Sequence, residues 1–167
     1  FQDYAKYETS LKDNIEMGNV RNCSIEKTMD AIYTVGLDKD IEKLKNGIDT
    51  PLGKVLEGGQ DLSGGQWQKV AMARALINDA TVRILDEPTA ALDPINESRL
   101  YDNYKKIREG VTTIFISHRL ASTRLADKIF VLKDGKVIEE GKFDELMSLE
   151  GEYANMFESQ RAWYIDE

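Results

Sequence analysis

The sequence has few cysteines and histidines, no long apolar run and no excess of positive charge. Its 167 residues include one cysteine, Cys23, and one histidine, His118. A single cysteine excludes an internal disulfide framework and fits a reducing compartment. No apolar run approaches the roughly 20 residues that a membrane-spanning helix needs. The formal net charge of −8 argues against a general nucleic-acid binder, which requires a basic surface, so we expect no nucleic-acid partner.

The overall composition is that of a folded globular protein. Hydrophobic residues make up 41% of the chain and charged residues 31%, and the length suits one domain of ordinary size. The chain opens with "FQDY", without a methionine or a polar lead-in. We therefore expect it to be a segment cut from a longer chain.

The first half of the sequence predicts helices. Residues 23–36 form a helical pattern that Ser24 can cap and Gly36 can end. A short helix containing Ile41 and Leu44 is predicted to follow and to close at Gly47. Residues 49–61 predict a loop. A further helix follows it, and the spacing of apolar residues gives this helix one buried face, composed of Val70, Ala73, Leu76 and Ile77.

The second half alternates between strand and helix patterns. "TVRILDE" predicts a strand, residues 96–110 an amphipathic helix and "VTTIFISH" a buried strand. Asp134-Gly135 predicts a β-hairpin between two strands, and the tail from Phe143 to about Trp163 predicts helix. The order of elements indicates an α/β layer with an attached helical subdomain.

Two acids close the strand "VRILDE". An aspartate in the position of Asp86 can support Mg²⁺, and Glu87 can polarise a water for attack on a phosphate. The structural alternative is that both carboxylates simply meet solvent at the end of a strand. Arg83 interrupts the apolar run, and an outward-facing position at the end of the sheet is one explanation that the sequence leaves open.

The stretch "LSGGQ" precedes the helix that begins near residue 64. Ser63 can cap this helix, and Gly64 and Gly65 allow backbone N–H groups to approach a ligand closely. The positive end of a helix favours an anion, most often a phosphate. The alternative is an ordinary N-cap with a flexible entry.

Two isolated polar residues are candidates with strong structural alternatives. His118 follows a predicted strand and can contact a γ-phosphate, but it can equally serve as a structural hydrogen-bonding group. The amide of Gln2 can reach a metal ion or a water, or it can be an ordinary solvated side chain.

The motifs "LSGGQ", "ILDEPTAALD" and "ISH", in this order and at these spacings, resemble the ATP-binding domain of ABC transporters. The resemblance covers essentially the whole chain. It implies a signature loop, a Walker B end, a D-loop, a switch histidine and a Q-loop glutamine. By this resemblance the signature loop is Leu62, Ser63, Gly64, Gly65 and Gln66, and the Walker B end is Asp86 and Glu87. The D-loop residues are Ala91, Leu92 and Asp93, the switch histidine is His118 and the Q-loop glutamine is Gln2.

The resemblance also implies cofactors, partners and a location. ATP and Mg²⁺ are the expected cofactors, with Asp86 and Gln2 at the metal and Glu87 and His118 as catalytic residues. Two such domains pair head to tail, so the signature loop would meet an ATP held by a second nucleotide-binding domain. Transmembrane domains are the other expected partner, which places the domain at the cytoplasmic face of the membrane.

Finer features favour a peptide exporter. "KYETSLKDNI" is similar to the exporter segment after the Q-loop, and Glu57 with Gly58 and Gly59 is similar to the exporter loop before the signature, lengthened here by two residues. Trp67 with Lys69 is most similar to bacteriocin and lantibiotic exporters. The alternatives are a soluble ABC ATPase acting in translation or DNA maintenance, and a non-catalytic interaction module.

The sequence departs from the family at its front. The phosphate loop GxxxxGK[ST] and the adenine-stacking aromatic have no counterpart in the 167 residues. We therefore expect the C-terminal portion of a P-loop ATPase core sheet, without the phosphate-loop strand, and no ATPase activity from this fragment alone. The expected parts are a helical subdomain at 4–78, a core sheet at 79–142 and C-terminal helices at 143–167.

Overall fold

The computed structural model describes residues 4–55, 57–92, 97, 100, 103, 107 and 110–165. The chain divides into two compact units, residues 1–116 (unit 1) and residues 117–167 (unit 2). Both contain helices and strands, which confirms the predicted α/β class. The three-part division expected from the sequence stays a prediction.

Unit 1 combines helices with a short parallel sheet. Among the described residues, the helices with defined bounds are α1 (Leu11–Glu16), α2 (Ile25–Val35), α3 (Asp38–Ile41) and α4 (Gly64–Leu76), with 3₁₀ turns at Met17–Asn19 and Gly47–Asp49. Strands β1 (Val82–Asp86) and β2 (Thr112–Ile116) pair in parallel, so that Val82 lies opposite Thr112 and Asp86 opposite Ile116.

Helix α2 begins and ends where the sequence predicts, whereas α3 is shorter than predicted. The Ser24 hydroxyl accepts a hydrogen bond from the Lys27 N–H at 3.3 Å, and Gly36 caps the other end with a φ of 68°. Helix α3 ends at Ile41. Beyond it the Leu44 N–H donates to the carbonyl three residues back, at 2.9 Å, so the chain tightens into turns instead of extending the helix.

Helix α4 lies at the centre of unit 1, against α1 and α2. Val70, Ala73 and Ile77 of its predicted apolar face are buried, and Leu76 is half-buried. Trp67 and Met72 are also buried, so the apolar surface extends farther around the helix than the spacing indicates. The rest of this core comes from α1, α2 and the loop before α4, with Leu11, Ile15, Ile32, Val35, Leu37 and Leu52.

The segment before α1 is fixed to α4 by one arginine. The Arg74 guanidinium donates to the carbonyl of Asn14 at 2.8 Å, to its side-chain oxygen at 3.0 Å and to the carbonyl of Ala5 at 3.0 Å. Its charged carbon also lies 4.9 Å from the centre of the Tyr7 ring. Residues that the sequence likens to the exporter segment after the Q-loop are thereby held against the helix that follows the signature loop.

The prediction that the second strand is buried is wrong for the described residues. Val82, Ile84, Ile114 and Ile116 share one face of the β1–β2 sheet and are 48–62% exposed. The apolar residues of a parallel sheet require a covering layer on both faces. Among the described residues, only the opposite face, which carries Leu85, is covered.

Arg83 does not face outward at the end of the sheet. It is half-buried, and its guanidinium donates to the carbonyl of Ile107 and, at 3.3 Å, to the carbonyl of Leu76. Burial lowers the pKa of this guanidinium. Arg83 therefore lies inside unit 1 and satisfies the last carbonyl of α4, which a helix end leaves without an intrahelical donor.

Unit 2 contains a 3₁₀ helix (Leu120–Leu125), a hairpin and two α-helices. Strands β3 (Ile129–Lys133) and β4 (Lys136–Gly141) are antiparallel and turn at Asp134-Gly135, where both φ angles are positive. Helices α5 (Phe143–Ser148) and α6 (Glu152–Ile165) follow, which confirms the predicted hairpin and helical tail. The core of this unit contains Leu120, Ile129, Val131, Leu146 and Tyr153.

None of the described helices combines the length and apolar character that crossing a bilayer requires.

Candidate functional site

The N-terminus of α4 is held by a reciprocal pair of hydrogen bonds. The Gln66 N–H donates to the Ser63 hydroxyl at 3.3 Å, and the Ser63 N–H donates to the Gln66 side-chain oxygen at 2.8 Å. This capping box confirms Ser63 as the N-cap. Within the described part of the chain, the N–H groups of Gly64 and Gly65 have no acceptor, and the Ser63 hydroxyl keeps its proton available for donation.

The two glycines of this loop have different surroundings. A Cβ on Gly65 would lie 2.8 Å from the carbonyl oxygen of Ala91, whereas a Cβ on Gly64 would meet nothing within 4 Å. Gly65 is therefore required for close packing against the turn that contains Ala91. Gly64 leaves an open approach to the helix end.

A cavity of about 480 Å³ adjoins this helix end. Lysines from three places line it: Lys39 on α3, Lys43 just after it, and Lys69 on α4. Asp40 is the one acidic residue among the lining residues. The lining therefore has a formal charge of +2 (three lysines less one aspartate) on a chain whose net charge is −8.

Asp40 connects the signature loop to the interior of unit 1. One of its carboxylate oxygens accepts from the Gln66 amide at 2.9 Å, and the other accepts from the Lys69 ammonium at 3.4 Å. Lys69 is buried and also donates to the carbonyl of Gly36 at 3.0 Å. The Gln66 side chain that holds Ser63 is thus itself held by α3.

The two acids at the end of β1 have different environments. Asp86 is half-buried and is the last residue of the strand, whereas Glu87 is 8% exposed. Glu87 has a φ of 46°, and its N–H donates to the carbonyl of Ile116 at 2.9 Å. The positive φ turns the chain sharply out of the strand, so the two carboxylates leave the backbone in different directions.

Gln68 connects α4 to the turn that follows β1. Its side-chain nitrogen donates to the carbonyl of Glu87 at 2.9 Å, and its side-chain oxygen accepts from the Ala91 N–H at 2.8 Å. Gln68 is buried. The sequence indicates neither Gln68 nor Asp40 as a site residue, because the partners that give them a role lie 19 to 29 residues away along the chain.

The remaining predicted site residues are only partly described. Leu62 is half-buried against the core, Ala91 is exposed and Leu92 is buried. Gln2 and Asp93 lie outside the described residues. His118 belongs to unit 2, where it is exposed and its carbonyl accepts from the Gln160 amide.

The loop before the signature carries a further acid. Asp61 accepts from the Leu62 N–H at 2.9 Å and from the Trp67 indole at 3.4 Å. The hydrogen bond from Trp67, followed by that from Leu62, lowers the pKa of Asp61. Lys6 lies 5.9 Å from the centre of the Trp67 ring, so Trp67 is fixed on both sides.

The described residues fit a triphosphate better than an isolated metal ion. Ser63, Gly64 and Gly65 present one hydroxyl and two amide donors, which is the donor set that phosphate oxygens accept. No three His, Cys, Asp or Glu side chains among the described residues cluster as a metal site. A single carboxylate such as that of Asp86 suffices for Mg²⁺ only where nucleotide phosphates and waters supply the other ligands.

The chain is similar to known proteins over nearly its whole length. The family described as "ABC transporter" matches residues 2–90, more than half of the chain. The nisin transport ATP-binding protein of Lactococcus lactis subsp. lactis is 39% identical over 96% of this chain, and the subtilin transport ATP-binding protein of Bacillus subtilis is 40% identical over 96%. An ATP-dependent lipid A-core flippase of Desulfotalea psychrophila is 40% identical over 92% of the chain.

The chain is also similar to a solved structure of an ABC exporter. The chain aligns with a bacterial Atm1-family ABC exporter with ATP bound at a TM-score of 0.85 and 31% identity, over 96% of this chain and 28% of that one. The chain spans 26–27% of the length of the three relatives. These similarities confirm the resemblance stated from the sequence motifs.

The unequal surroundings of the two glycines generate a prediction about stability. Gly65→Ala should lower the unfolding midpoint of the full-length protein, because a methyl group 2.8 Å from the Ala91 oxygen forces backbone shifts that cost about 1–3 kcal/mol. For a domain of this size, each kcal/mol corresponds to roughly 2–4 °C. Gly64→Ala is the matched control and should not lower the midpoint. Tryptophan emission during heating measures both, and equal midpoints for the two variants would contradict the packing described.

Proposed function

Because this chain belongs to the ABC transporter family, we propose that it forms part of the ATP-binding domain of an exporter. The domain hydrolyses ATP at the cytoplasmic face of the membrane and pairs head to tail with a second nucleotide-binding domain. The observation that carries this proposal is the end of α4, where a hydroxyl and two open amides adjoin a cavity lined by three lysines. Their ligand is the γ-phosphate of an ATP that the partner domain holds.

Each proposed residue has a separate role in hydrolysis. Ser63, Gly64 and Gly65 donate to the γ-phosphate and so distinguish a triphosphate from a diphosphate. Glu87 orients the attacking water, and His118 stabilises the phosphate. Catalysis then rests on positioning and electrostatics, as in other phosphoryl transfers.

Other residues complete the site. Asp86, together with Gln2, would hold Mg²⁺, which neutralises charge on the phosphates when bound. The D-loop residues Ala91, Leu92 and Asp93 follow the Walker B end in the chain. Lys39 and Lys43 add positive charge beside the signature loop, which supports binding of a polyanion.

ATP binding drives closure of the domain pair. The signature loop makes its contacts only when a triphosphate is present, so the closed state is favoured before hydrolysis and disfavoured after it. A ligand shifts a two-state equilibrium only by its difference in affinity for the two states. Transmembrane domains would take up this motion and couple it to transport.

The cargo that we propose is a peptide of the bacteriocin or lantibiotic class. Two relatives are nisin and subtilin transport ATP-binding proteins, and the stretch with Trp67 and Lys69 after the signature loop resembles that of bacteriocin and lantibiotic exporters. A lipid cargo is the competing proposal, because a lipid A-core flippase is equally similar.

A first prediction concerns hydrolysis and closure in the full-length protein. Glu87→Gln should bind ATP and accumulate the closed pair, while turnover falls at least about a hundredfold, since the carboxylate that orients the water is lost.

Adding Ser63→Arg to Glu87→Gln should abolish closure, because a bulky side chain fills the phosphate site. Light scattering follows closure and phosphate release follows turnover. Glu42→Gln, an exposed acid on the same unit, is the control, and normal hydrolysis by Glu87→Gln would reject the proposed role.

A second prediction concerns cargo. In proteoliposomes containing the full-length protein, nisin or subtilin should raise ATP turnover severalfold, whereas lipid A should not. The peptide effect should disappear in Glu87→Gln, which cannot complete a cycle. Stimulation by lipid A alone would replace the peptide proposal by the lipid one and would leave the ATPase proposal intact.

A third prediction concerns residues 1–167 alone. The sequence contains no GxxxxGK[ST] loop, whose lysine and amides provide most of the affinity for a triphosphate. Within the described part of the chain, β1 and β2 pair only with each other, and an unpaired strand edge favours pairing with other strands or aggregation. We therefore expect a fragment that circular dichroism shows to be folded to give neither phosphate release nor a saturable Trp67 fluorescence change at micromolar Mg²⁺-ATP. Saturation in that range would show that the fragment suffices for binding.

A further inference from the structure

Gln68 uses both ends of its side-chain amide inside unit 1. The nitrogen donates to the Glu87 carbonyl at 2.9 Å, and the oxygen accepts from the Ala91 N–H at 2.8 Å. The residue is 8% exposed. Its two partners lie four residues apart, so the amide closes a ring across the turn from Glu87 to Ala91.

Two backbone hydrogen bonds also belong to that turn. The Ala90 N–H donates to the Glu87 carbonyl at 3.2 Å, and the Leu92 N–H donates to the Thr89 carbonyl at 3.0 Å. Glu87 holds a φ of 46°, which is uncommon for a residue with a side chain and persists only where the surroundings impose it. The bond from Gln68 to the Glu87 carbonyl is one of the contacts that impose it.

Gln68 also lies close to the signature loop along a single helix. It follows Gly64 by four residues, about one turn of α4. The 13 residues of α4 form one uninterrupted hydrogen-bonded helix that packs against α1 and α2, so its N-terminus and Gln68 are rigidly connected. A displacement of the α4 N-terminus is therefore transmitted through the Gln68 amide to the backbone of Glu87.

We infer that Gln68 is a positioning residue that connects the phosphate-sensing end of α4 to the carboxylate of Glu87 and to the turn at Ala91. This inference rests on the proposed function, since it assigns to Gln68 the alignment of the residue that orients the attacking water. The role requires a donor and an acceptor in one side chain. Glutamine provides both without a charge that would have to be buried.

The test uses Gln68→Met in the full-length protein, because methionine keeps the length of the side chain and loses both hydrogen bonds. We expect kcat for Mg²⁺-ATP to fall about ten- to hundredfold, the scale of a small misplacement in an active site. KM should stay within about twofold, since Gln68 does not contact the nucleotide. Gln60→Met is the matched control, because it removes an amide that accepts from the Lys45 N–H, away from this turn.

A double-mutant comparison separates positioning from a general structural effect. If Gln68 acts through Glu87, Gln68→Met should cause little further loss of single-turnover rate in a protein that already carries Glu87→Gln. The double variant should also still close with ATP, at the ATP concentration that closes Glu87→Gln alone. If Gln68 had a purely structural role, Gln68→Met would lower the rate by the same factor in the parent and in Glu87→Gln, and that result overturns the inference. A kcat for Gln68→Met within twofold of the parent also overturns it.

A second variant covers the case in which Gln68→Met does not fold. Gln68→Leu fills the same buried space with an uncharged apolar group and lacks both hydrogen bonds, so its kcat should also fall with little change in KM. A parent-like kcat for this variant overturns the inference as well. Normal hydrolysis by Glu87→Gln is a different result, because it rejects the proposed function itself.

Discussion

The packing of α4 between α1 and α2 is the constraint on which the rest of unit 1 depends. Trp67, Val70 and Ala73 are buried in this contact, and burial of a large apolar side chain contributes about 1.5–3 kcal/mol. Apolar contacts alone tolerate small rotations of a helix. The buried polar residues Gln68 and Lys69 do not, because each would lose a fixed hydrogen-bond partner. Rotation and register are therefore both set, and the open N-terminus has one position.

The electrostatics of the site follow from one buried ammonium. Lys69 is 5% exposed, and a buried charge without a partner is costly. The carbonyl of Gly36, at the negative end of α2, and the carboxylate of Asp40 compensate it. Asp40 also lies 4.0 Å from the Lys43 ammonium, but its single charge leaves the three lysines of the cavity with a formal excess of +2. A chain with a net charge of −8 thereby has a positively charged cavity beside the open amides of the α4 N-terminus.

Local chemistry explains which features could be predicted from the sequence. Ser24 and Ser63 cap helices, and Asp134-Gly135 turns a hairpin, through bonds that span a few residues, so the sequence is enough to find them. The partners of Gln68 and Arg83 lie 7 to 24 residues away, and no local pattern indicates them. β-Propensity likewise identifies "VTTIFISH" as a strand but carries no information on which of its faces is covered. The motifs identified the family because their order and spacing are distinctive, whereas the roles of the individual site residues stay predictions.

Glu87, in the turn after β1, has a strained backbone conformation that hydrogen bonds hold in place. A non-glycine residue at positive φ costs about 1–3 kcal/mol, and glycine in this place would remove that cost together with the carboxylate. The strain is retained because the Glu87 N–H is held by β2 and its carbonyl by α4 and by Ala90. Fixing the N–H and the carbonyl of one residue fixes the direction in which its side chain leaves the backbone, and burial of Glu87 limits the space that this side chain can occupy. A carboxylate held this way requires little reorganisation when a ligand arrives, which is the condition under which positioned charges are most effective in catalysis.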